Sequence, residues 1–181
     1  LPTKISRRMD SIVDLTTDDD HEATPTTQTI EIAGNPVCLP RARTSWKCKH
    51  RHYNPATKAL QAFKNTVKSI LPEAQFGYIY PRTIPVTLTL IFYMKRPNRD
   101  FINNQRGVGR LRQDLPFSRS RVPDIDNLAK FVLDGLNELL YQDDRQVVKL
   151  TVYKLLDNRG LCEGRTTITI SSFQEQDLPL P

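Results

Sequence analysis

One stretch of the chain, from Pro123 to Asp144, constrains the fold more than any other. Its large apolar side chains recur at the three- and four-residue spacing of an amphipathic helix, and they are Leu128, Phe131, Val132, Leu136, Leu139 and Leu140. Taken as a helix over residues 125–140, the stretch presents one broad apolar stripe. A stripe of that width is stable only when it is buried, so we expect this helix to pack on one side of a core.

Strand-like segments supply the other side of that core. Residues 84–94, read as IPVTLTLIFYM, predict the clearest strand, since Val86, Leu88, Leu90, Phe92 and Met94 alternate with Thr87, Thr89, Ile91 and Tyr93. Residues 29–34, 146–155 and 165–173 also predict strands, and residues 55–71 predict a second helix. The order β-α-β-α-β-β, with a long loop before the second helix, predicts an α+β domain: one small mixed sheet with two helices packed on one face.

The ends of the chain differ in composition from its middle. Residues 1–28 are acidic and poor in large apolar groups, so we expect a disordered N-terminal tail before a folded domain over residues 29–173 and a short tail over 174–181. Within the first tail, Ile12, Val13 and Leu15 precede a run of aspartates, a pattern that resembles a SUMO-interacting motif. The alternative is a chance apolar patch.

The positive charge is concentrated in the part predicted to fold. The formal net charge is +6, and the eight Lys or Arg residues between Gly34 and Lys68 are accompanied by no Asp or Glu. Such a surface favours a polyanion, most often nucleic acid. The candidate DNA contacts are Arg41, Arg43, Lys47, Lys49 and Arg51. The alternative is a solvated basic arm.

A second basic segment, residues 95–121, predicts a mobile loop. Its arginines could also contact DNA, and they include Arg96, Arg99, Arg106, Arg110 and Arg112.

Three cysteines do not make a disulfide framework, and no apolar run approaches the roughly 18 residues of a membrane span. We therefore expect an intracellular protein with no membrane contact, nuclear in a eukaryotic host and cytoplasmic otherwise. Since Leu1 is not an initiator methionine, we also expect a fragment or a processed product. Residues of zinc-binding type occur together, but their spacing matches no common site; they are Cys38, Cys48, His50 and His52.

Aspartates bracket the predicted helix: Asp124 and Asp126 at its start, Asp143 and Asp144 after its end. One of them could cap the helix, but capping does not explain both members of the first pair. Clustered carboxylates persist when a hard divalent cation offsets their repulsion. A helix of sixteen residues spans roughly 24 Å, so the pairs meet only if the helix ends early, near Asp134–Gly135, or if Asp144 meets Asp124 of a symmetry-related chain.

The full string PDIDNLAKFVLDGLNELLYQDDRQVVKLTVYK resembles the RusA family of Holliday junction resolvases, and GNPVCLPRARTSWKCKHRHYNPATKAL upstream is similar more loosely. The resemblance implies an α+β homodimer that cuts four-way DNA junctions with Mg²⁺, for which Mn²⁺ could substitute. It implies that Asp124, Asp126 and Asp144 bind the metal and that these acids and Lys130 are catalytic. Asn127 and Asp143 would support them.

Two other functions are compatible with parts of the pattern. A dimeric module could bind branched DNA without cutting it. A nucleotide-sugar transferase could use the D-x-D motif, although the size and the charge of the chain argue against this. A Ca²⁺ loop is excluded, because Ala129 and Gly135 stand where such a loop needs a glycine and a glutamate.

Overall fold

The structure is a computed structural model that describes residues 27–39, 43–44, 52–53, 57–72, 79–118 and 120–177. The strands and helices, in chain order, are β1 (Gln28–Ala33), β2 (Arg43–Thr44), β3 (His52–Tyr53), α1 (Thr57–Ile70), β4 (Val86–Met94), α2 (Ile125–Leu136), β5 (Val147–Leu156) and β6 (Arg165–Ser172). Single 3-10 turns lie at Asn98–Asp100, Ile102–Asn104, Asp144–Gln146 and Glu175–Asp177. The predicted α+β class is confirmed.

Several predictions from the sequence concern residues outside the described ranges. The acidic tail lies there up to residue 26, and β1 begins one residue before the predicted start of the domain. The predicted SUMO contacts, most of the basic arm and part of the proposed zinc set also lie outside, namely Ile12, Val13, Leu15, Arg41, Lys47, Lys49, Arg51, Cys48 and His50.

One mixed sheet forms the centre of the fold, with the strand order β1-β6-β4-β5. Strand β4 is antiparallel to β6 and parallel to β5, and β1 is antiparallel to β6. The alternation predicted for β4 is exact, since every second side chain from Val86 to Met94 is buried. These side chains and their β6 neighbours Ile168 and Ile170 share one core with both helices, so the helices cover one face of the sheet.

Helix α2 buries the predicted stripe against this sheet. Leu128, Phe131 and Leu136 are each at most 2 % exposed. The helix ends at Leu136, four residues before the predicted end, and Glu138 beyond it adopts a left-handed φ of 65°. The chain then turns, and Leu140 returns to the same core from outside the helix.

Gly135 lies inside α2 rather than ending it, which corrects the role expected from its residue type. A Cβ at Gly135 would lie 2.5 Å from the ring of Phe63 on α1. That ring also makes an edge-on contact with Phe131, with 5.4 Å between the ring centroids. The glycine therefore permits the two helices to approach closely.

Two arginines, one of them fully buried, hold the segment that follows β4, which the sequence predicts to be a mobile loop. The Arg96 side chain is 1 % exposed. It donates to the carbonyl of Asp157 at 2.6 Å, to the carboxylate of Asp100 at 3.1 Å and to the carbonyl of Pro116 at 3.1 Å. This one side chain joins both ends of the segment to the end of β5.

Arg106 makes a second set of bonds from the same segment. Its guanidinium donates to the carbonyls of Leu161 at 3.0 Å and Cys162 at 2.9 Å, and it lies over the ring of Phe101. The expectation that Arg96 and Arg106 contact DNA is therefore wrong, because their donors are used inside the fold. Arg99, by contrast, has a side chain that is 69 % exposed.

No helix in the described part of the chain is both long and apolar enough to cross a membrane.

We expect Gly135→Ala to lower the free energy of unfolding by about 1–2 kcal/mol, because the overpacking of Phe63 outweighs the better helix propensity of alanine. Urea unfolding measures this change. Phe63→Leu should remove the clash, so the double variant should lose less than the sum of the two single losses. Additive losses would contradict the proposed contact.

Candidate metal-binding and DNA-cleavage site

The first pair of acids lies at the N-terminus of α2. Asp124 occupies the N-cap position, but its side chain makes no capping hydrogen bond, so the capping role considered for it does not apply. Asp126 follows in the first turn. Both residues are exposed, and neither carboxylate has a hydrogen-bond or ion-pair partner among the described residues. Two unpaired carboxylates at the positive end of a helix are available to a ligand.

Neighbouring strand and loop residues hold this end of the helix in place. Lys154 on β5 donates from Nζ to the carbonyl of Pro123 at 2.8 Å and to that of Arg121 at 3.0 Å. The backbone N–H of Leu39 donates to the carbonyl of Asn127 at 3.1 Å. Asn127 thus contributes through its backbone, which ties the segment after β1 to the first turn of α2.

Lys130 is exposed one turn after Asp126 on α2. The i,i+4 ion pair that would explain it structurally does not form, since no ion pair among the described residues includes Lys130. Its ammonium group is therefore available beside the carboxylates.

The second pair of acids lies on a turn before β5, which we call the acid turn and define as residues 142–146. Asp143 caps this turn, because its carboxylate accepts the backbone N–H of Arg145 at 3.1 Å. That hydrogen bond, with the positive charges of Arg145 and Arg82, lowers the pKa of Asp143. Asp144 is exposed and follows the cap directly.

Gln146, which is not among the residues predicted from the sequence, anchors the acid turn. Its Oε1 accepts the backbone N–H groups of Gln142 at 2.9 Å and Asp143 at 3.0 Å. Its Nε2 donates to the carbonyls of Pro81 at 2.6 Å and Ile84 at 2.9 Å, and also approaches that of Tyr80. The sequence feature that predicts this role is the spacing Asp143-x-x-Gln146, which is the spacing of a capping box.

Tyr141 locates the acid turn relative to α2. Its hydroxyl donates to the carbonyl of Leu133 in the last turns of the helix, at 3.1 Å. Burial raises the pKa of Tyr141 strongly, and the negative charges of Asp144 and Asp134 raise it further. Asp134 follows Leu133 directly in α2, and Asp144 is three residues beyond Tyr141, so both acids lie at the C-terminal end of α2. Asp134 is an additional acid at this end that the sequence analysis did not single out as a site residue.

The two groups of acids lie at opposite ends of the sheet. Lys154, which contacts the segment before Asp124, is seven residues along β5 from Val147, or about 23 Å. Gln146 binds the segment just before β4, whereas Pro123 lines a cavity with Met94 at the other end of β4. Early termination of α2 therefore does not bring the acids together. Within the described ranges, no three Asp, Glu, His or Cys side chains are close enough to hold a metal ion.

The chemistry of the first pair nevertheless suits a hard cation. Mg²⁺ often takes one or two protein carboxylates and keeps water or phosphate oxygens in its remaining positions. Asp124 and Asp126 offer such oxygens without a competing partner in the described structure. A third ligand from Asp144 of the same chain is excluded by the separation along β5.

Positive charge lies close to Asp124. A cavity of about 570 Å³ is lined by Arg99, Arg121, Ser118 and Ser120, together with Asp100. Arg121 is three residues before Asp124, so its backbone lies within about 11 Å of that residue. Of the predicted basic arm, the structure describes only the backbone of the β2–β3 pair, in which Arg43 lies opposite Tyr53.

These features define a small α+β protein with exposed carboxylates beside arginine and lysine side chains. A family model for the endodeoxyribonuclease RusA matches residues 33–171. The protein YqaN of Bacillus subtilis (strain 168), described only as uncharacterized, is 31% identical over 126 residues, which cover 68% of this chain and 83% of YqaN. The chain belongs to the RusA endodeoxyribonuclease family, which implies DNA endonuclease activity at Holliday junctions.

We expect Gln146→Ala to lower the free energy of unfolding by at least about 2 kcal/mol, because it leaves buried carbonyl and N–H groups without partners. Urea unfolding measures the loss. The matched control is Gln142→Ala in the same turn, where the side chain is exposed and the change should be within about 0.5 kcal/mol. Equal losses in both variants would show that Gln146 is not the anchor.

Proposed function

We propose that this protein is a Mg²⁺-dependent, structure-specific endonuclease that resolves four-way DNA junctions as a homodimer, within the cell, in DNA recombination and repair. The observation that carries the proposal is that, among the residues that the structure describes, the carboxylates of Asp124 and Asp126 have no partner and Lys130, one turn further along α2, makes no ion pair, in a chain of the RusA family. Neighbouring carboxylates without internal partners repel each other, and binding of a metal ion offsets that repulsion.

In this proposal Asp124 and Asp126 hold the metal together with Asp144 of the partner subunit, because Asp144 of the same chain lies too far along β5. Mn²⁺ can substitute for Mg²⁺. When bound, Mg²⁺ lowers the pKa of a coordinated water and polarises the scissile phosphodiester. The protein side chains position the metal and the phosphate and provide positive charge beside them. Lys130 lies on the same helix as Asp126 and can stabilise the negative charge that develops on the phosphate oxygens.

The supporting residues have distinct parts. The backbone of Asn127 fixes the helix start through Leu39, so the first pair of acids keeps its orientation. Asp143 uses its carboxylate to cap the acid turn, whereas the carboxylate of Asp144 accepts no backbone hydrogen bond within the described ranges. We therefore assign metal binding to Asp144 and a structural role to Asp143.

Binding of the junction arms is assigned to the basic surface. The predicted contacts Arg41, Arg43, Lys47, Lys49 and Arg51 remain proposals, and we add Arg99 and Arg121 because they line the cavity beside the helix start. Phosphate contacts of this kind give affinity that falls steeply with salt concentration and carry no sequence preference.

We expect Asp124→Asn to abolish Mg²⁺-dependent nicking of a labelled four-way junction while retaining junction binding, because the substitution removes a metal ligand and leaves the basic surface intact. Gel assays with and without Mg²⁺, beside linear duplex and flap controls, measure both properties. Nicking by this variant at the wild-type rate would refute the site assignment. Junction binding by the wild-type protein with no nicks on any branched substrate would instead support a non-catalytic binding module.

We expect substitutions of Asp143 and Asp144 to have different effects on the rate of junction nicking. Asp144→Asn should reduce the nicking rate by at least about 100-fold through loss of a metal ligand. Asp143→Asn keeps an oxygen that can accept the N–H of Arg145, so its rate should stay within about twofold of wild type. Equal loss in both variants would contradict the division of roles.

A further inference from the structure

The cavity beside the start of α2 is lined partly by apolar and partly by charged or hydroxyl side chains. Its volume of about 570 Å³ lies within the range of roughly 300–1,000 Å³ that is usual for small-molecule sites. The apolar wall consists of Pro97, Leu115, Pro116 and Leu156. A phosphate ion alone would leave this wall without a partner. The cavity therefore suits a ligand that has both an anionic and an apolar part.

Internal hydrogen bonds fix the apolar wall in place. Arg96, which is 1 % exposed, donates to the carbonyl of Pro116 and to the carboxylate of Asp100, both at 3.1 Å. The backbone N–H of Asp100 donates to the carbonyl of Pro97 at 3.1 Å. Leu156 is the last residue of β5 and belongs to the sheet. The wall is thus preorganised, which lowers the cost of ordering a ligand against it.

The polar side chains of the same cavity are available to a ligand. Those of Arg121, Ser118 and Ser120 make no hydrogen bond or ion pair with another described residue. Arg99 lies 3.9 Å from the carboxylate of Asp100, which is too long for a hydrogen bond. Asp100 is itself paired with a buried guanidinium, so it does not neutralise this positive charge. Two guanidinium groups and two hydroxyls are donors that suit the oxygens of a phosphodiester.

We propose that this cavity binds one unpaired nucleotide of branched DNA, with its phosphate on Arg99 and Arg121 and its base against the apolar wall. The proposal rests on the proposed function, because it names the part of the substrate that the surface beside the acids recognises. A base in continuous duplex is stacked and paired, so it reaches this wall only at the cost of being flipped out. At a branch point or in a bulge that cost is smaller.

The cavity is close enough to the first pair of acids to position the strand that is cut. Arg121 is three residues before Asp124, which limits the distance between their backbones to about 11 Å. Successive nucleotides of a duplex strand rise by about 3.4 Å, so this distance corresponds to about three nucleotides. An unpaired nucleotide held here places a neighbouring phosphodiester beside Asp124 and Asp126. The cavity thereby selects DNA with a break in base pairing near the nick.

The decisive experiment measures binding to a linear duplex that contains one bulged nucleotide, by fluorescence anisotropy in the absence of divalent metal. The comparison probe carries a bulged abasic residue, which keeps the sugar-phosphate backbone and lacks only the base. We expect the wild-type protein to bind the base-containing bulge about 10-fold more tightly. Equal affinity for the two probes overturns the proposal, because the base then makes no contact with the apolar wall.

Ser120→Trp tests whether the cavity is the place of this contact. The indole ring should occupy the cavity and leave both arginines unchanged, so this variant should bind the two bulged probes with equal affinity. The matched control is Ser69→Trp, the same change at an exposed serine of α1, which should keep the wild-type preference. Far-UV circular dichroism verifies that both variants are folded. A preference that persists in Ser120→Trp, or that disappears in Ser69→Trp, overturns the assignment to the cavity.

Arg99→Gln tests the phosphate contact. Its affinity for the bulged duplex should fall by about 5-fold or more, whereas its affinity for a continuous duplex should stay within about twofold of wild type, since that probe places no nucleotide in the cavity. The control Lys68→Gln removes an exposed charge from α1 and should change neither affinity. Equal weakening of both probes by Arg99→Gln would mean that Arg99 contacts any DNA backbone, which contradicts the proposal.

These binding measurements separate the nucleotide site from the proposed function. Mg²⁺-dependent nicking of junctions, with no preference for the base-containing bulge, would support the function and refute the nucleotide site. A preference that is lost in Ser120→Trp, with no nicks on any branched substrate, would support the nucleotide site in a protein that binds branched DNA without cutting it.

Discussion

The packing of α2 on the sheet is the constraint on which the rest of the structure depends. Its apolar stripe is buried against β4 and β6, and Gly135 allows the ring of Phe63 to fit between the two helices. Because such an interior is close-packed, the helix cannot slide along the sheet without opening voids or clashes. The positions of every charged group on α2 are thereby fixed relative to the strands.

That constraint gives the two ends of α2 different chemistry. At the start, Lys154 holds the backbone, and the carboxylates of Asp124 and Asp126 have no partner in the part of the chain that the structure describes. At the end, a buried network around Gln146 holds the acid turn, and Asp143 is used for capping. Polar groups with hydrogen-bond partners inside the protein stabilise the fold. The carboxylates without such partners in the described residues, those of Asp124, Asp126 and Asp144, are free to bind a ligand.

The arginines of the segment after β4 show the same division. Arg96 and Arg106 donate to carbonyl groups inside the fold, whereas Arg99 and Arg121 line an open cavity near the start of α2. Residue type and local sequence do not separate these two uses, since all four belong to one basic stretch. The difference depends on which side chains face the end of β5, and this is a property of the tertiary structure.

The sequence by itself determined the class of fold, the four strands of the main sheet, the apolar face of α2 and the residues of the acid motif, because each depends on local periodicity or on a short spacing. It could not determine that Arg96 is buried, that Gly135 lies under Phe63 or that Gln146 bonds to residues more than sixty positions away. These contacts join segments distant in the chain. The separation of Asp124 from Asp144 was likewise decided only by the tertiary structure, because α2 and β5 are packed as rigid elements that hold the two acids at opposite ends of one sheet.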